Sequence, residues 1–288
     1  LKSRIETVEA DEIIECDESP VSAVRHKKNS TITVGANIVK EGRAGAFISA
    51  GSSGAVLAAG QLIVGRLPGV KRPPLASMIP TAKGFSLFLD LGANVDAKAE
   101  WLCQFARMGS IYMEKVQHKE RPSVKLVNLG VEEEKGNALT KEANTMLSQI
   151  PEINYEGFIE SRDVIMGEAD VIVADAFTGN AILKTMEGTL GFVMQVLKSV
   201  LKSSMLTKLA ALMIMKPLKL KLKEFSASEQ GGAMLLGLNG LVMKCHGNAS
   251  RKDIANGILK SAGFIREDVC GLIREAFAKE NSQNNTVE

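Results

Sequence analysis

Three segments of the chain place glycines and short polar side chains directly behind apolar runs, where a strand would hand over to a helix. The first is Ser49–Gly54, SAGSSG. Its glycines let backbone amides approach an anion closely, Ser52 and Ser53 add hydroxyl donors, and a helix after Gly54 points its positive end at the same place. Those are the parts of a phosphate cradle, and equally of a tight turn with a serine helix cap. The second is Asp90–Asp96, DLGANVD. Asp90 and Asp96 suit a metal ion or the orientation of a donor, and Asn94 suits donation to an oxyanion. An Asx-type turn with a helix cap fits the same residues. The third is Asp175–Asn180, DAFTGN, followed by Lys184. Asn180 and Lys184 are spaced i, i+4 and share a helix face. A helix from Ala181 carries Lys184 one turn in, over the hydroxyl of Thr178, the amide of Asn180 and free backbone amides around Gly179. That set suits an anion or a developing oxyanion. The competing reading makes Thr178 or Asn180 a helix cap and Lys184 a solvated side chain.

None of these loops is a nucleotide motif. No Gly-Lys-Ser/Thr follows Gly54, and there is no G-x-G-x-x-G. No G-x-S-x-G elbow and no local Cys–His–Asn set marks an activated nucleophile, so in an acyl transfer the nucleophile would come from a substrate. His246, in the run KCHGN, is a further candidate acid or base, or a structural histidine.

Strands must precede these loops if they are to converge. Ala44–Ser49, Phe85–Leu91, Val124–Asn128, Ile153–Phe158 and Val171–Ala174 have the short apolar character of buried strands. Ser30–Glu41, Ala55–Val64, Ala97–Val116, Asn137–Ile150 and Ala181–Leu201 read as helices, the first capped by Ser30. Arg4–Val8 and Glu12–Glu15 read as extended. The rhythm predicts an α/β fold with a parallel sheet covered by helices on both faces, and ligands bound at the carboxyl ends of its strands.

Composition narrows the function classes. Of 288 residues 45% are hydrophobic and only 5% aromatic, too few stacking rings for a single-stranded nucleic-acid binder. The net charge of +2 argues neither way. Cys16, Cys103, Cys245 and Cys270 form no C-x-x-C pair, and His26, His118 and His246 lack metal-ligand spacing, so reduced thiols and no bound metal are expected. No run of about eighteen apolar residues suits a membrane span, and no signal peptide is visible. Lys198–Phe225 is unusual. Leu206, Leu209, Leu212 and Met213 crowd together with Lys208 and Lys216, and Pro217 is expected to interrupt any helix. The segment suits an amphipathic element on an anionic membrane or a buried homodimer interface. The Lys219–Lys223 alternation would also fit an edge strand.

Taken together the motifs resemble a known family. They are Ile48–Gly54 (ISAGSSG), Gly65-Arg66 with Arg72-Pro73, Leu89–Lys98 (LDLGANVDAK), Leu126–Leu139 (LVNLGVEEEKGNAL), Tyr155–Asp163, Ala169–Lys184, Gly231-Gly232-Ala233 and Lys244–Gly247 (KCHG). In this order, over nearly the whole chain, they resemble the bacterial phosphate acyltransferases of phospholipid synthesis. The resemblance implies a layered α/β fold like that of isocitrate and isopropylmalate dehydrogenases and phosphotransacetylase. It implies a single catalytic unit over residues 1–288, with a helical membrane or dimer element at about 198–225. It also implies transfer of an acyl group from acyl carrier protein to inorganic phosphate without a cofactor, by a cytoplasmic homodimer held loosely to the inner membrane face. Acyl-coenzyme A as donor, a metal- and NADP-dependent dehydrogenase and a non-catalytic carrier-binding scaffold are the alternatives. On the acyltransferase reading Ser52, Ser53 and the Thr178–Asn180 amides hold phosphate, Lys184 neutralises charge, and Asn94 or Asn180 donates to the oxyanion. Asp175 orients Lys184 or accepts a proton, with His246 as second choice. Two features depart from the family: its opening strand and Gly-Gly-Asp-His loop have no counterpart here, and Ser52-Ser53 stands where Asn-Thr is more usual.

Overall fold

The computed structural model describes residues 4–224 and 231–284. In chain order the first part runs α1 (Pro20–His26), α2 (Thr31–Lys40), β1 (Ala46–Ser49) and α3 (Ser53–Ala59), which continues as a π-helical turn, Gly60–Val64. Then come β2 (Leu75–Thr81), β3 (Gly84–Leu89), α4 (Ala99–Lys115), β4 (Ser123–Asn128), α5 (Ala138–Leu147), β5 (Asn154–Glu160), β6 (Val171–Val173), α6 (Ala176–Leu201) and α7 (Met205–Glu224). The chain closes with β7 (Ala233–Leu235), β8 (Leu241–Lys244), α8 (Arg251–Arg266) and α9 (Val269–Asn284). The residues gather into two compact units, Leu1–Pro73 with Gly231–Glu288, and Pro74–Gln230.

In the first unit β1 and β8 pair in parallel, Ala46 against Leu241 through Ser49 against Lys244, and β7 pairs antiparallel with β8. Ser30 caps α2 as its sequence position suggests, its hydroxyl accepting the Thr33 N–H at 3.2 Å. Ile32, Ala36 and Val39, at helical spacing, form the buried face of α2. Arg4–Val8 and Glu12–Glu15 form no strand. Glu12 makes only an isolated bridge to Ser30, so the expected extended elements are loop.

The second unit holds the strand order β2-β3-β6-β4-β5. The last four are parallel; β2 and β3 form an antiparallel hairpin turning at Ala82-Lys83. β6 is buried along its whole length, as a strand covered on both faces must be. On one face α4 comes so close at Gly109 that a Cβ there would stand 2.6 Å from Val171 and 2.9 Å from Leu89. On the other, Ile182, Leu183 and Met186 of α6 pack on a core that includes Phe88, Val127, Ile159 and Ile172.

Two helices differ from what their sequences suggest. α6 begins at Ala176 rather than Ala181, because Asp175 is its cap. α7 passes through Pro217 without a break, and its helical backbone takes in Lys219–Lys223, which rules out the edge strand. Proline removes one helical N–H bond and crowds the carbonyl four residues back. That carbonyl belongs to Met213, 81% exposed, where solvent can take the freed acceptor. Ser204 and Thr207 cap α7 reciprocally, each N–H donating to the other's hydroxyl. Leu206, Leu209, Leu212 and Met213 stand exposed along α7, and Leu190, Phe192, Val193 and Val196 along α6. Phe225 lies outside the described residues. No helix among the described residues is long and apolar enough to cross a membrane.

Candidate active site

In the second unit Asp90, at the end of β3, organises the loop that follows it. Its side chain is wholly buried. Oδ1 accepts the N–H groups of Leu75 at 2.9 Å, Gly92 at 3.1 Å and Ala93 at 3.0 Å. Oδ2 accepts the Asn94 N–H at 2.9 Å and the Asn94 side-chain amide at 2.7 Å. Burial pushes the carboxyl above the usual carboxylate range, while the donors from Ala93, Leu75, Asn94 and Gly92 pull it down. Five donors and no acceptor face it, so the carboxylate is the form that fits the cage. The expectations for this loop change accordingly. Asp90 is fully engaged by amides and is not placed to bind a metal, and Asn94, 7% exposed, is committed to Asp90. Asp96 does stand at the surface. Among the described residues no three His, Cys, Asp or Glu side chains gather as metal ligands would.

α6 starts against this loop. Asp175 Oδ1 accepts the Thr178 N–H at 3.0 Å and Oδ2 the Thr178 hydroxyl at 2.7 Å. The Ala176 N–H donates to Asn94 O at 3.0 Å, and the Gly179 N–H to Asp175 O at 2.9 Å. A cradle of free amides at Thr178–Asn180 is therefore not what forms: these residues lie inside the helix and their N–H groups serve the cap and the helix itself. Gly179 is glycine because a Cβ there would stand 2.0 Å from the Asp90 carbonyl oxygen. The earlier start also moves Lys184. It lies about two and a half turns beyond Asp175, roughly 13–14 Å along the axis, not one turn in. Its ammonium donates to Glu187 at 2.7 Å, so Asp175 does not orient it. Asn180 and Lys184 do share an exposed face, as their spacing requires.

Exposed apolar side chains ring the carboxyl ends of the neighbouring strands β3, β6 and β4. Val95 follows β3, Phe177 follows β6, and Leu129 and Val131 follow β4. The loop after β4 is tied by Asn128, whose side-chain amide donates to Gly130 O and Lys135 O, both at 3.1 Å, while its Oδ1 accepts the Thr140 hydroxyl at 3.0 Å. The one signal in the sequence for the order of this hydrophilic stretch is Asn128 directly behind an apolar run. An open groove of about 510 Å³ lies at the other end of the sheet, lined by His118, Arg121, Pro122, Glu152 and Asn154 at the starts of β4 and β5. None of the candidate residues lines it.

In the first unit the loops after β1 and β8 lie side by side, which brings Ser52 and Ser53 to the same strand ends as His246. The Cys245 N–H donates to Ser49 O at 2.8 Å. Ser52 stands at the cap position of α3, 9% exposed, yet its side chain makes no capping bond. Ser53 is exposed as the first residue of α3, and Gly54 lies within it, where a Cβ would meet Pro20 at 2.5 Å. The absence of a side chain at Gly54 thus serves the packing of α1. His246 is exposed, in the turn before α8. All four cysteines are free, with Cys103 and Cys245 buried.

Comparison with known proteins places the chain. The family model described as fatty acid synthesis protein matches residues 1–272. A phosphate acyltransferase from Geobacillus sp. (strain WCH70) is 46% identical over 282 residues, covering 97% of this chain and 85% of the relative. One from Clostridium beijerinckii is 42% identical over 281 residues, covering 97% of this chain and 84% of the relative. Among solved structures, the EutD phosphotransacetylase from Staphylococcus aureus superposes with a TM-score of 0.55 at 17% identity, over 82% of this chain and 67% of that one, a likeness of fold. The chain is therefore an enzyme of the phosphate acyltransferase family, on the α/β fold it shares with phosphotransacetylases.

Proposed function

We propose that this enzyme transfers the acyl group of an acyl-(acyl carrier protein) thioester to inorganic phosphate, releasing acyl-phosphate and free carrier thiol for phospholipid synthesis. The observation that carries the reading is the exposed apolar rim of Val95, Phe177, Leu129 and Val131 at the ends of β3, β6 and β4, with Asn180 on the same helix as Phe177. Apolar contact area beside amide donors suits a fatty acyl thioester. Phosphate brings its own nucleophilic oxygen. That oxygen attacks the thioester carbon, the C–O bond forms as the carbonyl becomes an oxyanion, and the C–S bond breaks as it re-forms. The sulfur leaves with the bonding pair and ends as a thiol on taking the phosphate proton. Such a reaction needs positioning and charge stabilisation rather than a protein nucleophile.

The roles follow residue by residue. In the first unit Ser52 and Ser53 are hydroxyl donors suited to phosphate, and His246 is the exposed group there suited to accepting a proton. In the second unit Asn180 and Lys184 on the exposed face of α6 are donors suited to an oxyanion, Asp96 stands at the surface, and Asp175, Thr178, Gly179 and Asn94 hold that helix start in place. Lys184→Ala is expected to lower turnover by on the order of 10²-fold, the scale of one lost oxyanion donor, with thermal melting unchanged. Turnover within about twofold of wild type would remove Lys184 from the reaction.

Thiol release measured with a long-chain acyl-carrier thioester and with the matching acyl-coenzyme A, each with phosphate, tests the donor. Carrier thioester as the better substrate by kcat/KM supports the reading; coenzyme A thioester as the better one makes the enzyme phosphotransacetylase-like. The α6–α7 pair, with its exposed Leu and Met and fringing Lys208 and Lys216, is proposed to rest on anionic membrane or to bury that face in a homodimer. Leu209→Glu with Met213→Glu is expected to abolish co-sedimentation with vesicles rich in anionic lipid. Unchanged co-sedimentation leaves dimer burial as the role of that face.

A further inference from the structure

The carboxyl ends of β1 and β8 hold a partly buried ammonium with no carboxylate beside it. The parallel register sets Ser49 against Lys244. Their side chains therefore leave the same face of neighbouring strands, whose backbones run about 4.8 Å apart. Lys244 is half-buried, and its ammonium donates to the backbone carbonyl of Cys245. Among the described residues no acidic side chain reaches it. The nearest in sequence, Asp253, is turned into the capping box of α8, accepting the Ser250 N–H at 2.6 Å. Burial pushes the Lys244 amine below its usual range, as expected for a cation drawn out of water without a counter-charge. Lys27 in the same unit shows the usual remedy, an ion pair with Glu18 at 2.6 Å.

The neighbouring loop offers hydroxyls whose protons are not spent on capping the helix that follows. Ser52 is nine-tenths buried and does not cap the helix it precedes. The Ser49 hydroxyl accepts the Gly51 N–H at 3.1 Å, which leaves its own proton to donate. An ammonium and two hydroxyls, at the ends of adjacent parallel strands and with no acid among them, make a donor set that an anion completes.

We propose that Lys244, with the hydroxyls of Ser49 and Ser52, forms a binding site for a phosphate dianion, and that Lys244 supplies its counter-charge. The assignment rests on the phosphate acyltransferase reading for its ligand class and adds a residue to it. The same chemistry has two sources, inorganic phosphate and the phosphate groups of a pantetheine-bearing donor such as coenzyme A.

Binding of inorganic phosphate to the full chain, followed by calorimetry or ³¹P line broadening, tests this without turnover. The variants are Lys244→Gln, Lys244→Arg and Ser52→Ala, each first checked for an unchanged melting temperature; Lys244→Arg and Ser52→Ala carry the test if Lys244→Gln does not fold. Wild type is expected to bind phosphate, Lys244→Gln about tenfold or more weakly, as for loss of one charged hydrogen bond, and Lys244→Arg within a few-fold of wild type. Ser52→Ala is expected to weaken it by a few-fold. A parallel titration with coenzyme A separates the sources. Weakening confined to coenzyme A assigns the site to the donor's phosphate, and weakening of inorganic phosphate assigns it to the nucleophile. Variants that bind both ligands as wild type does, or a wild type that binds neither, overturn the proposal. Phosphate bound in this Lys244-dependent way by an enzyme that releases no thiol would overturn the acyl-transfer reading and leave the site standing.

Discussion

Asp90→Ala is expected to cost more than about 4 kcal/mol, enough to leave little folded protein at ordinary domain stabilities. The carboxylate is wholly buried and accepts five hydrogen bonds, four from backbone N–H groups and one from Asn94. Alanine leaves all five donors facing a void. Each buried unsatisfied donor costs about 1–3 kcal/mol, and relaxation of the loop recovers only part of that sum. Asp90→Asn is a sharper version of the same test. Whichever way the amide is turned, its NH₂ meets at least two of the cage's N–H donors, so near-isosteric replacement is expected to cost about 2 kcal/mol or more. Urea unfolding followed by circular dichroism reads both. A loss under about 1 kcal/mol for either variant would mean that the Asp90 cage does not hold the loop together.

Gly179→Ala sets two physical effects against each other. Alanine is favoured over glycine in a helix interior by about 1 kcal/mol, so propensity alone predicts a more stable protein. The structure predicts the reverse. The new Cβ would lie 2.0 Å from the Asp90 carbonyl oxygen, and that peptide is tied on its other side by the Leu91 N–H to Leu75 O bond at 2.9 Å. Backbone cannot give way as the end of a long side chain can. α6 must lift, and Ile182, Leu183 and Met186 then lose contact with their core. The net cost is expected to be about 2–3 kcal/mol, the upper part of the range for overpacking. A variant as stable as wild type, or more so, would show that α6 does not sit against Asp90 as described.

The same residues show how far the fold is legible from the chain alone. Ser30 is readable as a helix cap because a short polar side chain stands just before an amphipathic run, and it accepts the third amide of its helix; Asn137, read as the first residue of its helix, is instead that helix's cap. β4 and β6 are readable because covered parallel strands are apolar throughout. β2 is not: Pro80 and the polar Ser77 and Thr81 argue against a strand, and only pairing with β3 shows that it is one. Thr178-Gly179-Asn180 reads as a turn because those residues favour turns. The close approach to Asp90 overrides that preference, and nothing local announces it. The five-residue shift in the start of α6 is what carries Lys184 away from the helix end and closes the expected amide cradle. In the opposite sense, the KCHG run attracts attention through His246, while the unpaired cation is Lys244. Its relation to Ser49 depends on a strand register set across nearly two hundred residues of chain.

Phosphate-dependent release of thiol from a long-chain acyl-carrier thioester tests the acyl-transfer reading most directly. Thiol should appear only when inorganic phosphate is present, saturate with phosphate concentration, and match one for one an acyl-phosphate that hydroxylamine traps as the hydroxamate. Thiol released at the same rate without phosphate would mark a thioesterase instead, and no release from either carrier or coenzyme A thioester would contradict acyl transfer altogether.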